Sequence, residues 1–162
     1  IVVFLYILIR FKKWQFSLGA VAAVFHDVLI VLGIFSIAWR FLPFSMEIDQ
    51  AFIAAILTVI GYSLNDTVVV FDRVRENIKI HKTAPLEDNI NSAINKTMRR
   101  TIITSLTTLF VVAVLLVFGG EVLRGFAFAL TFGIVIGTYS SVFVASPFVY
   151  EYVQRTQKKI QF

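Results

Sequence analysis

Asp27, Asp66 and Arg100 are ionisable residues in or beside stretches otherwise suited to lipid. Asp66 lies in residues 51–71, AFIAAILTVIGYSLNDTVVVF, a run with no other charge. A carboxylate near the centre of a spanning helix costs about 2.5–3.5 kcal/mol on insertion scales, so it normally has a partner or a task. One assignment is a structural carboxylate bonded between helices; the sharper one is a proton or ion site. Asp27 falls near the middle of another apolar run, beside His26, and Arg100 falls where a third run begins. The three share one depth range and so can meet. A carboxyl held between a desolvating environment and an arginine can take and release a proton. From position alone, Arg100 is first an interface arginine snorkelling to head groups. His26 is first a packed, hydrogen-bonded imidazole.

The elements that must position these residues are membrane spans. Apolar residues make up 58% of the 162 positions, a membrane composition rather than that of a soluble core. Four stretches, 17–39, 51–71, 102–118 and 126–150, stand out. As helices they span roughly 25–37 Å, against a hydrocarbon core of about 30 Å. Residues 1–9 are too short to cross and read as the truncated end of a spanning helix, so the chain is expected to be the C-terminal part of something longer. They lack the charged start and cleavage site of a signal peptide. The expected fold class is an all-α membrane protein, a polytopic helix bundle.

Cysteine is absent and the two histidines, His26 and His81, are far apart, so no thiolate or histidine metal centre is expected. Phosphate loops, nucleophile elbows and zinc motifs are missing as well. The chain is therefore not expected to be an enzyme. The net charge of +5 does not point to nucleic acid, because the charges alternate by segment. Thirteen of the fifteen Lys and Arg residues fall in 10–16, 72–101 and 151–162, and the other two in 40–50 and 119–125. The positive-inside rule puts the first group of segments, with the C-terminus, in the cytoplasm and the second group outside. Trp14, Trp39, Phe44, Tyr150 and Tyr152 fall near the interfaces, as an aromatic belt would. Within 72–101, Pro85, Glu87 and Asp88 mark a helix start, and Leu86, Ile90, Ala93, Ile94 and Met98 follow a helical stripe. An amphipathic helix over about 84–98 is predicted, at the membrane surface, against helix ends or on a partner.

At about 100° per residue, each span has one polar or small face. Thr58, Tyr62, Asn65, Asp66 and Arg73 share one. Thr97, Arg100, Thr104, Thr107 and Thr108 share another. Gly19, Ala23, His26, Asp27 and Gly33 form a wider one, and Gly133, Gly137, Ser140 and Ser141 the last. Small residues let backbones approach and hydroxyls bond across helices, so packing is the first reading of these positions.

Residues 55–77, AILTVIGYSLNDTVVVFDRVREN, closely resemble the signature of SecF, the smaller half of the SecDF protein-export complex. His26-Asp27, residues 94–108 (INKTMRRTIITSLTT) and the Gly-rich last span agree with it. The resemblance implies the C-terminal half of a six-helix domain similar to resistance–nodulation–division transporters, with a first helix and a periplasmic domain missing. It implies SecD, the SecYEG channel, YajC, unfolded preprotein and the lipid bilayer as partners, in the bacterial inner membrane. It implies no cofactor beyond the proton gradient, which would drive late steps of preprotein translocation. By position, Asp66 matches the family's intramembrane proton-pathway aspartate and Arg100 the arginine on the next helix, with Asp27 a weaker match. Asn65, Tyr62, Thr104 and His26 would form the supporting polar face. Two rivals remain at this level: a proton-coupled efflux transporter for small molecules, and an assembly scaffold in which Asp66 only ties helices together.

Overall fold

The computed structural model describes residues 2–41 and 48–156. Phe44 and Glu47, and the tail residues Lys158 and Lys159, lie outside them. Helices α1 (Val2–Phe11), α2 (Trp14–Ala38), α3 (Gln50–Ile80), α4 (Leu86–Phe118) and α5 (Glu121–Ser140) are followed by a π-helical turn (Ser141–Ala145) and α6 (Ser146–Thr156). No strand occurs among the described residues. Four helical segments are long and apolar enough to cross a membrane: α2, α3, α4 and the nearly continuous run 123–155.

The helix ends follow local chemistry. Lys12, at φ 55°, turns the chain between α1 and α2, while its N–H closes α1 on the Leu8 carbonyl. The Asp49 carboxylate accepts from the Phe52 N–H and caps α3. Glu87 and Asp88 stand in the first turn of α4, where they complement the helix dipole. The expected surface helix is not separate: α4 is one helix from Leu86 to Phe118. The stretch 86–118 has neither Gly nor Pro to break it. At 31 and 33 residues, α3 and α4 are about 46 and 50 Å long and overrun a hydrocarbon layer of about 30 Å.

Beyond the bilayer they form a hairpin around residues 81–85. The buried Asn77 donates from Nδ2 to the Asn89 carbonyl at 3.0 Å, and Lys96 Nζ reaches its Oδ1 at 3.4 Å. Asn89 in turn donates to the Pro85 carbonyl. Asn77→Ala should remove the side-chain bond that ties α3 to the Asn89 carbonyl of α4 and cost about 0.5–1.5 kcal/mol. Faster hydrogen exchange and proteolysis confined to 81–89 would register it.

The last span contains Pro147. Proline has no N–H to give the carbonyl four residues back, and its ring crowds that carbonyl. The chain answers with the π turn immediately before it, and Ser146 Oγ donates to the Ser141 carbonyl at 3.2 Å. Local π geometry and a serine hydroxyl thus absorb the break, two of the ways a proline is tolerated in a membrane helix. Gly133, Gly137, Ser141, Ala145, Val149 and Val153 are all buried at a spacing of four. In a straight α-helix such a stripe drifts about 40° per step; the wider π turn reverses part of that drift and keeps one face inward.

The interior divides into two apolar clusters with a polar layer between. One holds Ile7, Phe11, Phe16, Phe71, Val74, Ile90 and Val149, with the Phe11, Phe16 and Phe71 rings 4.9–6.0 Å apart. The other holds Val31, Phe35, Phe52, Val59, Val112, Leu130 and Ile134. The segments that separate them carry Asp27, Ser63, Asp66, Ser105, Thr138 and Ser140. The last span is the most enclosed, with 56% of its apolar window buried, and α4 the least, at 17%. Ile103, Leu106, Phe110, Val111, Val117 and Phe118 of α4 all face outward.

Candidate functional site

Two carboxylates occupy the polar layer in opposite circumstances. Asp27, on α2, is 1% exposed. Its Oδ2 accepts from Ser63 Oγ of α3 at 2.5 Å and from Ser140 Oγ of α5 at 2.7 Å. Its Oδ1 meets Nδ1 of the half-buried His26 at 3.1 Å. Three helices are therefore joined at one carboxyl group. Asp66, one turn beyond Ser63 on α3, is 4% exposed, yet its Oδ2 has no hydrogen-bond partner among the described residues. Most buried polar side-chain atoms have one, so this exception asks for an explanation.

Beside it runs a hydroxyl chain. Tyr62 donates to Ser105 Oγ at 3.4 Å, and Ser105 and Thr138 Oγ atoms lie 2.6 Å apart. This chain ties α3 to α4 and α5. Arg100 is exposed on α4 and is the electrostatic neighbour of Asp66. Among the described residues no ion pair joins them. Arg100 opens instead on a groove of about 340 Å³ between α3 and α4, with Val69, Asp72, Arg73, Glu76, Lys96 and Thr97.

The expected polar faces are only partly inward. Asp66 is buried, but Asn65 and Thr58 are exposed and Tyr62 is intermediate. Thr104 and Thr107 do not reach across helices: each bonds a carbonyl of its own helix, at Arg100 and Ile103 respectively. Ser63, Ser105 and Thr138 join Tyr62 and Ser140 in the interhelical bonds, and polarity alone does not place these three on an inward face. The legible signal was spacing. Gln15, Gly19, Ala23, Asp27, Val31 and Phe35 are buried at intervals of four, as are Ala55, Val59, Ser63 and Thr67, and Asn89, Ala93, Thr97, Thr101 and Ser105. Packing along such i±4n ridges is a common mode. No cluster of metal-ligating side chains occurs among the described residues.

Residues 1–155 match the family described as protein export membrane protein SecD/SecF, C-terminal. The chain belongs to that family. It is 68% identical over 151 residues to the protein translocase subunit SecF of Rhodothermus marinus, covering 93% of this chain and 49% of that protein. It is 47% identical to the protein translocase subunit SecDF of Brucella abortus over 93% of this chain and 19% of that one. The crystal structure of SecDF, a translocon-associated membrane protein from Thermus thermophilus, superimposes with a TM-score of 0.83 at 46% identity, covering 94% of this chain and 20% of that one. Another SecDF structure, in a super-membrane-facing form, gives a TM-score of 0.86 at 44% identity, covering 95% of this chain and 20% of that one. The chain spans about half the length of the Rhodothermus relative. It is thus a multi-pass membrane helix bundle of the SecF kind. These relatives carry translocase names, and nothing in them favours efflux of small molecules.

Proposed function

We propose that this chain is the membrane-embedded C-terminal part of a SecF-type subunit that couples the proton-motive force to late steps of protein export. The observation that carries this is Asp66, a carboxylate buried in a span with one oxygen unpartnered among the described residues and with Arg100 as its electrostatic neighbour. Asp66 alternates between a charged state balanced by Arg100 and a neutral protonated one. Asp27 serves the same site as a supporting carboxylate with His26 against it, and Tyr62, Asn65 and Thr104 lie on the stretches of α3 and α4 that carry Asp66 and Arg100. Proton entry from outside and release toward the cytoplasmic end change the charge at the α3–α4 contact and bias helix packing between two arrangements. One charge crossing about 100 mV supplies about 2.3 kcal/mol, enough to shift a two-state equilibrium roughly fiftyfold.

The partner in the membrane is SecD. The fused relative has both names in one chain, and α4, which carries Arg100, is the least enclosed span. Preprotein and SecYEG are met outside this bundle, and YajC is a further candidate partner; the proton gradient replaces any cofactor. The bilayer in this reading is the bacterial inner membrane, with the basic connections and the C-terminus cytoplasmic, an orientation that the charge asymmetry supports.

Arg100→Met tests the pair. In inner-membrane vesicles containing the complete SecD–SecF complex, it should lower gradient-driven export by about tenfold or more while export without a gradient is kept. Equal gradient stimulation in the variant and the wild type would remove Arg100 from the site.

A further inference from the structure

The contrast between the two buried carboxylates assigns them different work. We propose that Asp27 is a positioning residue: with Ser63 and Ser140 it forms a fixed junction of α2, α3 and α5 that holds the Asp66 face of α3 in place. This rests on the proton-site reading of Asp66 given above.

The junction is complete as built. Asp27 accepts from Ser63 at 2.5 Å and Ser140 at 2.7 Å on one oxygen and meets His26 at 3.1 Å on the other. Both serine bonds lie in the shorter half of the range for hydroxyl donors. Asp66, whose Oδ2 is unpartnered among the described residues, sits three residues beyond Ser63, a rise of about 4.5 Å. A shift of Ser63 is therefore a shift of Asp66.

Each arm of the junction is braced by packing. At Gly137 a Cβ would stand 3.0 Å from the Ser63 Cβ, so α5 and α3 touch directly beside the bond to Asp27. At the last residue of the π turn, a Cβ at Gly19 would meet the Ala145 carbonyl at 3.0 Å, so α2 and the last span are pressed together there as well. Ser140 is the last residue before the turn that Pro147 imposes. That turn lets the last span serve Asp27 with Ser140 and Gly19 with Ala145 along one inward face.

Hydrogen-bond chemistry separates a positioning carboxylate from a proton carrier. In Asp27→Asn the amide oxygen still accepts both serine hydroxyls, and the amide N–H donates to His26 Nδ1 once that ring carries its proton on Nε2. Asp27→Leu keeps the bulk and makes none of these bonds.

The test uses the complete SecD–SecF complex in inner-membrane vesicles. Gradient-driven export and the thermal stability of the extracted complex are measured for Asp27→Asn, Asp27→Leu, Ser63→Ala and Asp27→Leu/Ser63→Ala. With positioning, Asp27→Asn keeps about half or more of gradient-driven export, whereas Asp27→Leu and Ser63→Ala each lose about tenfold, as misplacement of a reacting group does. The stability losses of Asp27→Leu and Ser63→Ala are non-additive, because both break the same bond. Asp27→Asn as inactive as Asp66→Asn, with Ser63→Ala near wild type, would make Asp27 a carrier and overturn the proposal. Additive stability losses would overturn it too, whatever the fate of the proton reading, which Asp66→Asn tests separately.

Discussion

A single methyl group added at Gly133 is expected to unseat the last span from α3. A Cβ there would lie 2.0 Å from one Val59 methyl and 2.9 Å from the other, far inside contact distance. Val59 is fully buried among Phe35, Phe52, Leu130 and Ile134, so it has little room to retreat. Overpacking of this kind costs about 1–3 kcal/mol and occasionally more. Within lipid, where no hydrophobic force draws helices together, close backbone approach is a large part of what joins them. Gly133→Ala should therefore lower the temperature at which the extracted complex loses SecD. Val59→Ala, which leaves a cavity by itself, should restore part of that loss when combined with it. The pair should cost less than the sum of its members by about 1 kcal/mol or more. Additive effects would mean that the two helices do not meet there.

Asp66→Asn is expected to leave the complex assembled and to end proton-dependent export. The side chains are nearly isosteric, and the Asp66 Oδ2 has no bond within the described chain to lose. An amide does not take up a proton in this range, so the charge step disappears. With it goes the whole gradient contribution, roughly a fiftyfold bias per proton at about 100 mV. A scaffold role for Asp66 predicts the opposite: less complex in the membrane, with turnover per complex unchanged. Immunoblotting of membrane-bound complex alongside export per complex separates the two.

Much of this was legible from residues. The spans of α2 and α3, the helix start at Pro85, the buried aspartates and the family signature all follow from hydropathy, capping chemistry and motif. The continuity of α4 was legible too, since nothing in 86–118 breaks a helix. Polar character between residues 84 and 98 hid it, because a helix that leaves the bilayer changes its solvent without changing its backbone. Pro147 announced the π turn, but its consequence for the inward face depends on how far the turn rewinds the helix. Ser63 and Ser105 were not legible as site residues by polarity. A serine bonding its own helix and one bonding across look alike in sequence, and only tertiary contact separates Ser63 from Thr104. The absence of an ion pair between Asp66 and Arg100 belongs to the same class, since a shared depth does not fix the reach of a side chain.

The proton role of Asp66 is tested most directly by the ratio of export with an imposed proton gradient to export without one, in vesicles carrying equal amounts of wild-type or Asp66→Asn complex. The expected ratio is well above one for wild type and one for Asp66→Asn, with the same gradient-free rate in both. Gradient stimulation of Asp66→Asn equal to wild type would contradict that role.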